Sequence, residues 1–372
     1  NNKKDQFVAS GFEDKIEQPV LFQQGDLRIV VQKTVDPQAI SLLQQSVNGT
    51  AGVRYQLFGP ETKLYELQEP YFFYLYHHHK LIGLYSLCRR QLGLVTDQLA
   101  TESIVEAYYG RYLAVAQQQS GQGYGHLLKQ VALGYINQLN QQKSTPYLFY
   151  SYIEDKNSRS IAISKKEGFD SVAWLKTYMF RRYAPLKDDR FELLPAQEIT
   201  DMKLQLAAYY REYTFLTLSE IGYQNNYFVL REKGTIVAGL QANPVRWYFK
   251  NVPGLKGWFL MNILPRFESG RRLFNPTPFH FIVLEGIYLR ADRADLLPIL
   301  LESVLAHFGL NSAMWQLDEK DPHVSLLQQA KMGHFSGFEK GVKIHVMLKQ
   351  VNMAALNPSA HAPYYVSCFD YS

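Results

Sequence analysis

One stretch constrains this chain more than any other: Tyr112-Leu-Ala-Val-Ala-Gln-Gln-Gln-Ser-Gly-Gln-Gly-Tyr-Gly-His-Leu-Leu128. An apolar strand end runs into a polar loop holding Gly121, Gly123 and Gly125. Apolar residues then recur at helical spacing, at Leu127, Leu128, Val131, Ala132, Tyr135, Ile136 and Leu139. Glycines let main-chain N–H groups come close to a ligand at the positive end of the following helix. That arrangement is a cradle for phosphate oxygens.

At 372 residues the chain exceeds the size at which one core stops growing, so two domains are expected. Hydrophobic residues at 47% and charged residues at 20% are those of a folded soluble protein. No run of about 18 uncharged apolar residues is present to span a bilayer. No signal peptide is recognised, and residues 1–25 read as a polar N-terminal extension. The net charge of +5 is mild and reads as spread along the chain, which favours anionic ligands in general; no nucleic acid is expected. Cys88 and Cys368 lie far apart with no CxxC partner, which argues against a disulfide framework or a zinc site and fits a cytoplasmic protein.

Leu27 to Lys33 reads as a strand, and Asp36-Pro37 opens a helix as cap and first-turn residue. Tyr71–Tyr76 and Leu81–Cys88 read as a hairpin turning at His77-His78-His79-Lys80. Adjacent residues point in different directions, so the three histidines read as a solvated turn; no metal site is expected. Glu102 to Ala116 is a long strand that enters the glycine loop, and Pro146 to Ile153 is the next buried strand. A helix from about Ser158 to Lys166 stops at Gly168-Phe169, followed by strand material from Val172 to Tyr183.

This order of elements resembles the GNAT N-acetyltransferase superfamily. Leu113-Ala114-Val115 followed by Ser120-Gly121-Gln122-Gly123-Tyr124-Gly125-His126 is similar to the family's acyl-CoA pyrophosphate loop. Asn157-Ser-Arg-Ser160 through Gly168-Phe169 is similar to the family pattern of an Asn, a helix and a closing Gly-Phe. A Rossmann loop fits poorly: the spacing is GxGxG, the loop follows the fourth strand, and Gln138 to Gln142 offers no acid. A purely structural glycine turn is the remaining alternative.

The resemblance implies an α/β fold (α+β mixed sheet) of two tandem GNAT-like domains, 26–185 and 186–372, each a mostly antiparallel mixed sheet flanked by helices. The second copy is degenerate. Phe279 to Leu289 matches the long strand, but Arg290-Ala-Asp-Arg-Ala-Asp-Leu296 replaces the loop without a glycine, and Asp292 reads as a helix cap. One acyl-CoA site per chain is therefore expected, formed by Leu113, Ala114, Val115, the loop Ser120 to His126, Asn157 and Ser160. Acetyl-CoA or another acyl-CoA is the implied co-substrate, without metal, and an amine on a small molecule or peptide is the implied acceptor, attacking directly.

Two departures bear on the chemistry. Ser120 stands where the family carries Arg or Gln, and Ser164 stands where it often carries a tyrosine acid. Catalytic candidates are Tyr109, Tyr112 and Glu106, although Glu106 lies nine residues before Val115, roughly 30 Å along an ideal strand. Glu102 is farther still. A CoA-binding module without turnover is the alternative. The tail Tyr364-Tyr365-Val-Ser-Cys368 either reaches a cleft or packs as an edge strand. The aromatic and basic stretch 246–272 reads as a plug between the domains, or as a membrane or lipid contact.

Overall fold

A computed structural model describes residues 19–49, 52–96, 103–329, 333, 341–353 and 358–370. Glu102 and residues 1–18 of the expected extension lie outside them. The first strand, β1 (Val20–Gln24), turns at Gly25, where φ is 55°, and pairs antiparallel with β2 (Leu27–Gln32). Part of the expected extension is thus an edge strand; the Val-Leu-Phe run before a Gly-Asp turn was its signal. Helix α1 (Pro37–Gln45) begins as its cap chemistry requires, with the Asp36 carboxylate accepting from the Gln38 N–H at 2.7 Å.

After β3 (Arg54–Leu57) and α2 (Pro60–Glu66), the hairpin β4 (Pro70–His77) and β5 (Lys80–Leu94) leads to β6 (Ser103–Val115). Helix α3 (Tyr124–Asn140) then crosses over to β7 (Tyr147–Glu154), which lies parallel to β6. Helix α4 (Ser158–Lys166) ends at Gly168, with φ 81°, and β8 (Asp170–Arg181) follows as one strand.

The second half runs β9 (Phe191–Leu193), α5 (Ile199–Tyr209), β10 (Tyr227–Glu232), β11 (Thr235–Asn251), α6 (Gly254–Asn262) and α7 (Glu268–Leu273). It continues with β12 (Phe279–Leu289), α8 (Leu296–Phe308), β13 (Ser312–Asp318), α9 (His323–Gln329) and β14 (Lys343–Val351). All strands join one mixed sheet in the order β1-β2-β4-β5-β6-β7-β14-β8-β13-β12-β11-β10-β9, with β3 on the far end of β11. Among the described strand pairs only β6–β7 and β12–β13 are parallel, beside the isolated parallel bridges Arg181–Gly333 and Thr214–Tyr364.

The centre of the sheet shows how the two halves interlock. After its parallel strand each half supplies a helix and a last strand, but β8 pairs with β13 and β14 pairs with β7. The two last strands also pair with each other. Each half therefore completes the other's sheet, and the sheet faces bury continuous clusters of apolar side chains. On one face α3 covers Leu75, Tyr85, Tyr108, Phe149 and Phe169. On the other, α1 and the C-terminal segment cover Leu84, Tyr109, Leu148 and Tyr150.

The tail is not an edge strand. Tyr364 to Asp370 are all buried, and the Tyr365 N–H donates to the Thr214 carbonyl inside the molecule.

Candidate active site

A gap opens in the sheet between two strands that start out paired. β6 and β7 pair only from Glu106–Tyr147 to Tyr109–Tyr150. Beyond that point Gly110–Val115 pairs only with β5, and Ser151–Glu154 only with β14. The cause lies in β6: the register shifts between Leu84 and Ser86, where three steps of β6 oppose two of β5. This bulge puts Tyr112 at φ 57°, a left-handed conformation that a bulky side chain adopts only under tertiary constraint. Backbone strain of this kind collects at functional sites. Arg111 and Tyr112 then project to the same side, the guanidinium 4.2 Å from the Tyr112 ring, while Leu113 and Val115 pack toward α3.

The bent strand runs directly into the glycine loop. Gln117–Gln119 make one 3₁₀ turn, Ser120 follows, and Gly121 and Gly123 both take left-handed φ, 88° and 83°. Gly123 precedes the first turn of α3, whose N–H groups receive no side-chain cap. A methyl group placed on Gly125 would touch Ile163 and Val115 at 3.8 and 3.9 Å, so the start of α3 rests between α4 and the end of β6. Arg159, at the start of α4, donates to the Ser120 hydroxyl at 3.0 Å and brings a guanidinium to the loop. Sequence reasoning did not single it out, because it comes to the loop from α4, 39 residues beyond Ser120.

The other expected ligand-binding residues divide. Tyr124 packs against the α3-side core, and Gln122 is exposed in the loop. His126 is turned to α4 and bonds the Glu167 carboxylate at 2.7 Å. Asn157 caps α4 by accepting from the Ser160 N–H at 3.2 Å. Ser164 accepts a 2.6 Å hydrogen bond from the buried Lys129 ammonium. Burial drives Lys129 down to about 7, with Glu167 opposing and Lys349 assisting.

This has a measurable consequence. Between pH 7 and 10 the folded chain holds fewer protons at Lys129 than the unfolded chain, so this group makes stability rise with pH across that window. Lys129→Met should flatten that rise in thermal unfolding. An unchanged slope would mean Lys129 titrates as an ordinary surface lysine.

The catalytic candidates are not equivalent. Glu106 sits at the far end of the parallel pairing and is clamped by Arg89 at 2.6 and 2.9 Å and by the Tyr108 hydroxyl at 2.6 Å. Burial pushes its carboxyl up, but these partners outweigh it and hold it below its ordinary range, which makes it a weak base. Tyr109 is buried and donates to the Asp370 carbonyl at 3.0 Å. Tyr112 keeps a buried hydroxyl with no hydrogen-bond partner among the described residues.

A carboxylate absent from the sequence candidates, Glu154, ends the β7 side of the gap. Four residues past the Tyr109–Tyr150 pair, the two strands reach Leu113 and Glu154. Strand alternation puts Glu154 on the side of Tyr150 and Tyr152, which also holds Tyr109 and Tyr112. Its side chain has no hydrogen bond or ion pair among the described residues, and burial alone raises it to about 7. Its electrostatic influence and that of Arg111 both reach Tyr55.

The tail lies under this side of the gap. Asp370 bonds Arg90 at 2.7 Å in a buried pair, and the Phe369 carbonyl accepts from Arg111 at 2.9 Å and Lys63 at 3.1 Å. Upstream, the tail fills the corresponding opening in the second half. There β12 and β13 pair only at Ile282–Ala313 and Val283–Met314, and Gly286 has φ 55° at a matching register shift. The buried Glu285 accepts from the Tyr365 and Ser367 hydroxyls and from the Cys368 N–H. The Ile287 and Gly286 carbonyls are taken by the Tyr210 and Tyr227 hydroxyls.

The second half's loop also differs from expectation. Asp292 is not a cap: it sits at φ 69° in a turn, and α8 begins at Leu296 after Asp295. A cleft of about 370 Å³ there is lined by Tyr209, Tyr288, Arg290 and Asp292. It lacks a glycine loop, and the Asp292 carboxylate disfavours a phosphate. The His triplet divides as well: His77 and His78 gather with Asp26 at an exposed tip, their donor atoms within 4.8 Å of one another.

No family model matches the sequence, and no curated protein matches it. Among solved structures, N-myristoyltransferase from Saccharomyces cerevisiae with bound myristoyl-CoA superposes at TM-score 0.59 and 12% identity, over 91% of this chain and 86% of that one. A second structure of that enzyme, with bound myristoyl-CoA and inhibitors, gives 0.57 at 11% identity, over 91% and 85%. A GCN5-related N-acetyltransferase from Sphaerobacter thermophilus gives 0.48 at 12% identity, over 87% and 95%. The likeness is one of fold: this chain shares with that N-myristoyltransferase a large, mostly antiparallel mixed sheet flanked by helices.

Proposed function

We propose that the protein transfers an acetyl or other short acyl group from acyl-CoA to an amine on a small molecule or peptide. The observation that carries this reading is the gap between β6 and β7, opened by the bulge at Tyr112 on the strand that enters the glycine loop. In a paired sheet the main-chain groups of Leu113, Ala114 and Val115 on that edge would be used up by the next strand. Here they are left to bond a pantetheine arm and polarise a thioester carbonyl. The N–H groups of Gly121 to His126, with Arg159, would hold the pyrophosphate.

The acceptor nitrogen attacks the acyl carbon, the new C–N bond forms, and the C–S bond breaks. Glu154 takes the amine proton; the departing thiolate takes one from the Tyr112 hydroxyl or from water. Tyr109, already bonded to the tail, has a positioning role. Tyr109, Tyr152, Arg111 and Phe369 crowd this side of the gap, which favours a short acyl group. These steps call on no metal. A cytoplasmic location is part of the proposal, supported by the two buried free thiols, Cys88 and Cys368. No helix among the described residues is long and apolar enough to cross a membrane.

One observation favours the reading of a CoA-binding module without turnover: the Ser164 hydroxyl is committed to Lys129. Free-thiol release, measured over acyl-CoAs from acetyl to myristoyl and a panel of amines, separates the two. The transferase reading expects release with a short acyl donor and an amine present. Calorimetric binding with no release under any pairing would leave the module, and no binding would end both.

A further inference from the structure

The stretch 246–272 does two jobs in the structure, and only one of them is packing. Its inward side is packed: Trp247 is buried in one cluster with Phe274, Phe279 and Phe281, and Phe249, Leu260, Met261 and Leu264 of the stretch pack against it. Its outward side is apolar too. On α6, Leu255, Trp258 and Phe259 occupy positions i, i+3 and i+4, so they share one face, and they are 83, 54 and 42% exposed. Phe267, 61% exposed, follows just before α7. Large aromatic and aliphatic side chains grouped on one exposed face are uncommon on a monomer and mark a contact surface.

Charge says what kind of surface it fits. The segment holds six basic residues, Arg246, Lys250, Lys256, Arg266, Arg271 and Arg272, against one acid, Glu268, and all seven are exposed. That net +5 equals the formal charge of the whole chain, with its 39 basic and 34 acidic residues; the rest balances at 33 of each. The positive excess, which read as spread along the chain, thus falls within the stretch that carries the exposed apolar face. A protein partner's hot spot would not need this excess of like charge in the same stretch, whereas an anionic headgroup layer over an acyl interior matches both features.

We propose that α6 and the start of α7 form a membrane-surface contact, with Leu255, Trp258, Phe259 and Phe267 entering the headgroup boundary of a bilayer that carries anionic lipid. The basic residues around them face the headgroups. The contact is peripheral: α6 has nine residues, about 14 Å of helix, and lies along the surface. This inference stands apart from the acyl-transfer reading, since it uses none of the residues assigned to that reaction.

The test is co-sedimentation of the full chain with phosphatidylcholine vesicles and with vesicles containing phosphatidylglycerol, at low and high salt. About tenfold stronger partitioning to the anionic vesicles is expected, falling with salt, together with a blue shift of tryptophan emission. Leu255→Ser with Trp258→Ser should lose the binding, and Lys250→Glu with Arg266→Glu should lose the preference for anionic lipid. Both pairs are exposed, so thermal unfolding should stay within the wild-type range. No sedimentation with either vesicle, binding unaffected by these substitutions, or a concentration-dependent dimer abolished by the serine pair would each overturn the proposal. The last would give the face to a second copy of the chain.

Discussion

Gly123→Asp is expected to abolish acyl-CoA binding while the protein still unfolds cooperatively. Gly123 has φ 83° at the start of α3, and a Cβ there would meet nothing within 4 Å. The cost is therefore backbone conformation alone, about 1 kcal/mol, and Asp is among the residues that tolerate this region. A carboxylate before the first turn also suits the helix dipole, so stability should change little. Binding should change greatly, because the new charge occupies and repels the place of the pyrophosphate. Calorimetry with acetyl-CoA should show an affinity loss of about 100-fold or more, the scale of losing two charge-assisted hydrogen bonds. Gly123→Ala, with the same strain and no charge, should lose far less. Unchanged affinity in the Asp variant would put the ligand site elsewhere.

Glu154→Gln is expected to lower kcat by about 10² to 10⁴, the usual contribution of a general base, without weakening acyl-CoA binding. The pH profile distinguishes this from a structural effect. Burial holds the proton on Glu154 up to about pH 7, so the wild-type rate should rise tenfold per unit as pH approaches 7 from below, then level. The Gln variant should lose that limb. Stability should move in the opposite sense. The folded protein keeps a proton between pH 4.5 and 7 that the unfolded chain releases, so this group lowers stability as pH rises through that window and keeps it lower above. Gln removes the loss. A variant with the wild-type rate and an intact acid limb would reject Glu154 as the base.

Glu154 shows why sequence reasoning stopped where it did. Nothing at positions 152–155 separates it from Asp155 beside it; the difference is that β7 leaves β6 after Tyr150 while β6 bends at Tyr112. Glu106, which sequence reasoning did select, is in a strand of the right kind, but Arg89 and Tyr108 arrive from other positions and commit it. The same limit applies to Arg159, to Lys129 behind Ser164, and to the tail, whose burial depends on Glu285, Arg90 and Arg111, all distant in sequence.

Local features were legible because their causes are local. Asp36-Pro37 starts α1, the helix from Ser158 to Lys166 ends before Gly168, and Gly121 and Gly123 take the left-handed conformations that a tight loop before a helix demands. Caps, turns and apolar periods act over a few residues, so the sequence by itself determined these elements and the glycine loop before α3, while β1 and β14 went unread. Pairing across the chain was decided only in the tertiary structure: the exchange of β8 and β14, the gap beside the bulge, the tail laid across both openings, and the free carboxylate of Glu154. Those features depend on which hydrogen-bonding edges and charges are already occupied when distant segments meet, and no short window of sequence carries that information.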